Sequence, residues 1–93
     1  MSKTVSASVT IVNKLGLHAR PAMMFVETAS GFESDLAVKR GDHCETVDGK
    51  SIMQMMMLAA TQGTIIEITA TGPDADEAIE ALKALVDSKF QEE

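Results

Sequence analysis

At 93 residues the chain is expected to form one domain over residues 1–93, with room for a modest core but not for a deep, enclosed active site. A formal net charge of −6 argues against nucleic acid, whose binding draws on Lys and Arg at phosphates, and favours partners with basic or apolar faces. Cys44 stands alone and so excludes an internal disulfide; with no signal-peptide pattern and no apolar run long enough to span a membrane, the expected compartment is the cytoplasm.

Val5, Ala7, Val9 and Ile11 alternate with Ser6, Ser8 and Thr10, the period of a strand with one buried face. A loop through His18 follows. Ala22, Phe25, Val26 and Ala29 then recur at helical spacing, so a helix is expected to begin just after His18 and to stop at Ser30-Gly31, where glycine accepts the left-handed conformation. Phe32 to Lys39 alternates again and predicts a second strand. Gly41-Asp42 turns the chain into a short edge strand from His43 to Val47.

Asp48-Gly49 breaks that strand, and Ser51 followed by Gln54 fits a capping box that opens a short helix running to about Leu58. Ile65, Ile66, Ile68 and Ala70 read as a central strand ended by Gly72-Pro73. Asp74 and Glu77 make a second capping pair. They open a helix whose Ala78, Ile79, Leu82, Leu85, Val86 and Phe90 share one buried face. Strands with a single buried face imply an α+β fold, an antiparallel sheet with the helices packed on one side.

The densest chemical signal is Gly16-Leu17-His18-Ala19-Arg20-Pro21-Ala22. Pro21 in the first helical turn gives up an N–H that would have no partner there. His18 is thereby placed at the cap, where backbone N–H groups and the positive end of the helix dipole converge, a setting that binds anions. A neutral imidazole presents a ring nitrogen as nucleophile, and Arg20 can add a charge-assisted contact to an incoming phosphoryl group. Nucleophile, anion cradle and counter-charge lie within three residues.

That motif, the element order and Lys50-Ser51-Ile52-Met53 together resemble the histidine-containing phosphocarrier (HPr) family of the bacterial phosphoenolpyruvate-dependent phosphotransferase system, over essentially the whole chain. The resemblance implies an open-faced β-sandwich of topology βαββαβα, its four-stranded antiparallel sheet in the order 1-4-2-3 and its three helices on one face. It implies that His18 accepts a phosphoryl group on Nδ1 from phosphorylated enzyme I and passes it to IIA components. Arg20 matches the family arginine beside the phosphohistidine. The chain would then be a carrier of phosphate and not a turnover enzyme, with no cofactor and as a monomer.

Among Ile52 to Leu58, helical spacing places Met55 and Leu58 inward, Met53 and Met56 outward, and Ile52 and Met57 at the edges. An adaptable methionine surface suits docking on several partners in turn. The resemblance implies that Ala19, Arg20, Ile52, Met53 and Met56 belong to that interface. Ser51 is first a helix cap; in relatives with Lys-Ser-Ile-Met it is also the target of an HPr kinase/phosphorylase, whose phosphate would oppose docking of enzyme I.

Glu27, Thr28 and Gln54 weaken the basic rim that many sugar-system members carry. Asn13-Lys14-Leu15-Gly16 and Phe90-Gln91-Glu92-Glu93 also resemble the nitrogen-related paralogue NPr, whereas Lys50-Ser51-Ile52-Met53 is the sugar-system form and favours that reading. A regulatory binding module that never relays phosphate is disfavoured by the presence of His18. A metal site of His18, His43 and Cys44 is disfavoured because neighbours on a strand point to opposite faces. A hydrolase lacks a base and an orienting carboxylate near His18.

Overall fold

A computed structural model describes residues 3–12, 14, 16–41, 45–58, 61–88 and 90. Among them the chain forms β1 (Lys3–Thr10), α1 (Ala19–Ser30), β2 (Asp35–Arg40), β3 (Thr46–Asp48), α2 (Ile52–Met57), β4 (Ile65–Gly72) and α3 (Ala75–Asp87). The strands make one antiparallel sheet in the order β1-β4-β2-β3. The βαββαβα order and this strand order are those that the resemblance implied.

Alternation decides which face meets the helices. Val9, Leu36, Val38, Ile66, Ile68 and Ala70 are buried against the helix residues Ala22, Phe25, Ala29, Met55, Ala78, Leu82 and Val86 in one core. Full burial of a side chain such as Phe25 stabilises the fold by about 1.5–3 kcal/mol. The opposite face is polar. There Ser6 and Thr69 hydroxyls lie 3.0 Å apart and Thr4 and Thr71 hydroxyls 3.3 Å apart, each pair facing across β1 and β4.

Several local expectations are corrected by tertiary contacts. Gly31 closes α1 in right-handed geometry, at φ −75° and ψ −6°; the helix tightens instead, with the Gly31 and Phe32 amides donating to the Thr28 and Ala29 carbonyls at 3.2 Å each. β2 begins at Asp35, three residues later than the alternation from Phe32 suggested, because the Glu33 and Ser34 amides donate to the Asp74 carboxylate at 2.9 Å each. That carboxylate makes no cap bond to α3, so the expected pair with Glu77 does not form. Asp74 closes the α1–β2 connection instead.

Ser51 caps α2 as expected, its Oγ accepting from the Gln54 amide at 3.3 Å. The reciprocal half of the box differs, since Gln54 Oε1 reaches past Ser51 to accept from the Asp48 amide at 2.9 Å. The described edge strand is Thr46–Asp48; residues 42–44, including His43 and Cys44, lie outside the described residues, as do Asn13 and Leu15 of the Asn13 to Gly16 opening and Gln91 to Glu93. α3 ends at Asp87, with Leu85 half-buried. Phe90 is fully buried but reaches the core from beyond the helix, at φ 53°.

Glycine is required where β4 ends. Gly72 has φ 156°, and a Cβ there would lie 2.6 Å from both Cα and Oγ of Ser34.

Candidate functional site

The segment that presents His18 is built by the end of β1. Ile11 extends the strand pairing, donating to the Thr64 carbonyl at 2.9 Å and accepting from the Gly63 amide at 2.7 Å. Leu17 buries its side chain in the core, and Gly16, buried and at φ 70°, supplies the left-handed turn just before it. The His18 amide then donates to the Gly16 carbonyl at 3.0 Å. One buried apolar anchor and one left-handed glycine thus set the direction in which His18 leaves the core.

His18 takes the N-cap of α1 with extended backbone, φ −84° and ψ −168°, and its carbonyl accepts the first helical bond from Ala22 at 3.0 Å. Of the four amides that a helix start leaves without an intrahelical partner, the one at His18 is used by Gly16 and the one at position 21 is absent because the residue is proline. Ala19 and Arg20 supply the other two, and both residues are exposed. The imidazole does not cap these amides, and no acidic residue sits in the first turn. Two N–H groups and the positive dipole end face outward beside a partly exposed imidazole.

Chemically this end can hold a dianionic phosphoryl group against two backbone donors and one guanidinium, with a ring nitrogen of the imidazole as the nucleophile. The site is open to another macromolecule. The surface depressions at Arg40, Gly41, Gly63, Thr64 and Ile65 and at the β2–β3 face of the sheet are lined by neither His18 nor Arg20. Among the described residues, no cluster of three His, Cys, Asp or Glu side chains is placed to hold a metal ion, and no helix is long and apolar enough to cross a membrane.

α2 packs beside α1. Met55 and Leu58 point inward at 0% and 7% exposure, while Met53 stands out at 76%. Met56 is exposed as expected, at 45%; Met57 and Ile52, expected at the edges, are exposed as well, at 77% and 40%. A six-residue helix offers about one and two-thirds turns, too little to tuck a margin residue under a neighbour. Sequence reasoning left out Met23, 46% exposed, although its place three residues after Arg20 on α1 puts it on the same outward stripe. Ser51 is partly exposed at the α2 cap.

A shifted carboxylate lies elsewhere, at Asp74. The Ser34 hydroxyl, donating at 2.5 Å, and the backbone N–H of Glu33 hold its carboxyl below the usual carboxylate range.

A four-stranded sheet carrying three helices, with a histidine at the N-cap of the first, defines a class of small carrier protein. A family model described as the PTS HPr component phosphorylation site matches residues 5–88. The chain belongs to this HPr/NPr family of phosphocarrier proteins. It is 49% identical over 85 residues to the phosphocarrier protein HPr of Neisseria meningitidis, covering 91% of this chain and 93% of the relative. It is 41% identical over 90 residues to the phosphocarrier protein NPr of Escherichia coli, covering 97% and 99%. Among solved structures, HPr-C-His from Thermoanaerobacter tengcongensis superposes with a TM-score of 0.89 at 46% identity, covering 96% of this chain and 98% of that one.

Proposed function

We propose that this protein relays a phosphoryl group on His18, taking it from phosphorylated enzyme I and giving it to IIA components of the sugar phosphotransferase system. The observation that carries this reading is the start of α1, where an imidazole at the cap stands beside two outward amides and Arg20, with no acid in the first turn. The Nδ1 lone pair of His18 attacks the phosphorus held by the donor histidine. The donor N–P bond breaks as the new one forms, and the reverse exchange delivers the group to the acceptor. Phosphorylation brings roughly −1.5 to −2 charges, which the α1 dipole, the Ala19 and Arg20 amides and the guanidinium of Arg20 offset. In-line transfer of this kind depends mostly on positioning, and the partner supplies the walls that an open site lacks.

Docking uses Ala19, Arg20, Ile52, Met53 and Met56, and the exposure of Met23 and Met57 extends that surface. Ser51 is a second point of control. A phosphate placed there by an HPr kinase/phosphorylase would set negative charge at the edge of an apolar docking face and oppose enzyme I. Such a relay works in the cytoplasm.

Service in the nitrogen-related system is the second reading. It is favoured by the similarity to NPr over 97% of this chain, against which stands the higher identity to HPr relatives. Intact mass after incubation with phosphoenolpyruvate and enzyme I of each system separates them. The sugar-system reading expects one phosphoryl group from the sugar enzyme I, lost on brief acid treatment. Acceptance from the nitrogen enzyme I alone contradicts it.

A further inference from the structure

α1 ends without a basic residue in its last turn, although the carbonyl end of a helix favours a nearby cation. Lys50 brings one from a distant part of the chain. Its Nζ donates to the Phe32 carbonyl, just beyond the end of α1, at 2.8 Å in a part-buried setting. The base of this side chain is fixed as well, since the Lys50 amide donates to Asp48 Oδ1 at 2.9 Å and the next residue, Ser51, caps α2. The residue before, Gly49, is pressed so close that a Cβ would lie 2.9 Å from Leu36 Cβ and 3.3 Å from Phe25 Cε1. The start of α2 is therefore tied to the C-terminal end of α1, a helix of 12 residues that spans about 18 Å from its His18 end.

We propose that Lys50 is a positioning residue, a clamp between α1 and α2 that sets how the apolar face of α2 stands relative to the helix beginning at His18. The proposal rests on the functional reading above. A six-residue helix is too short to hold its own place; what orients it is the burial of Met55 and Leu58, the bond from the Gly49 amide to the Leu36 carbonyl at 2.8 Å, the bond from the Asp48 amide to Gln54 Oε1 and the ammonium of Lys50. The bonds at Gly49 and Gln54 hold the start of α2 to β2 and β3. The charge-assisted bond of Lys50 ties it to the end of α1. An interface that must present Met53 and Met57 to a partner loses affinity when its supporting helix can turn.

Lys50→Met keeps most of the stem and removes the donor, whereas Lys50→Arg restores a cation that can reach a carbonyl. With phosphorylated enzyme I as donor, the Met variant is expected to raise KM for this protein about fivefold while leaving kcat unchanged, and the Arg variant to return most of the affinity. In amide spectra of the protein alone, the Met variant shifts Phe32 and the α2 amides and leaves Ala19 in place. An unchanged KM in the Met variant overturns the clamp. So does a raised KM with Phe32 and α2 amides unmoved, because Lys50 would then act by touching the partner. A wild-type chain that takes no phosphate overturns the functional reading and the docking role with it; the free-protein spectra keep that failure distinct from a failure of the clamp.

Discussion

At the start of α3, Asp76 and Glu77 occupy the first turn and Asp74 holds the cap; at the start of α1 there is no acid, and the cap is His18. The same dipole thus meets opposite treatment at two ends of one fold. α3 is neutralised by its own carboxylates, one of which, Asp76, is also bonded by Lys3 at 2.6 Å. The Asp74 side chain turns away from its helix and fastens Ser34 and Glu33. α1 keeps its positive end and two amides for a charge that the chain does not itself supply. An end satisfied by the protein builds structure, and an end left open is where an anion can come and go.

The largest effect is expected at the open end. His18→Ala removes the proposed acceptor and should abolish enzyme I-dependent labelling while leaving the fold intact, as amide spectra of the variant would show. Retained labelling would break the contrast. At the closed end the corresponding lesion is structural. Gly72→Ala drives a methyl group onto Ser34 at positive φ and should destabilise the protein by about 1–3 kcal/mol, read as a shift in urea midpoint, with labelling intact in the folded fraction.

Making α1 resemble α3 sharpens the comparison. Ala19→Asp places a carboxylate in the first turn, which should raise stability by about 0.3–1 kcal/mol and slow phosphoryl acceptance about tenfold, the rate cost of roughly 1.4 kcal/mol of repulsion in the transition state. Faster acceptance would mean that the helix end does not hold the phosphate. The smallest effect concerns pH. Folding holds Asp74 ionised to lower pH than in the unfolded chain, so its contribution is complete above the ordinary carboxylate range and fades as acid protonates the folded group. Ser34→Ala removes the leading cause of that shift, and thermal melts between neutral and strongly acidic pH should show its stability loss shrinking as Asp74 is protonated. A loss independent of pH would assign the effect of Ser34 to packing.

What the sequence alone reveals follows the range of the interaction. α1 is legible because Pro21 and the apolar spacing of Ala22, Phe25, Val26 and Ala29 are local, and the His18 cap follows from them. α2 and its Ser51 cap are legible for the same reason. Asp74 reads as a cap from its neighbours, yet its partners lie 40 and 41 residues away, and no local rule weighs a distant amide against a near one. The delayed start of β2 is the other side of that contact. Lys50 and Phe32 are equally remote from any pattern. Strand order came from the family motif, since alternation identifies a buried face and not a neighbour.

The most direct measurement is a nitrogen-15 spectrum of the imidazole and backbone before and after phosphoryl transfer from enzyme I. The account predicts phosphorus on Nδ1 of His18, with the largest amide changes at Ala19 and Arg20. Phosphorus on another residue, or on His18 with those two amides unmoved, would contradict it.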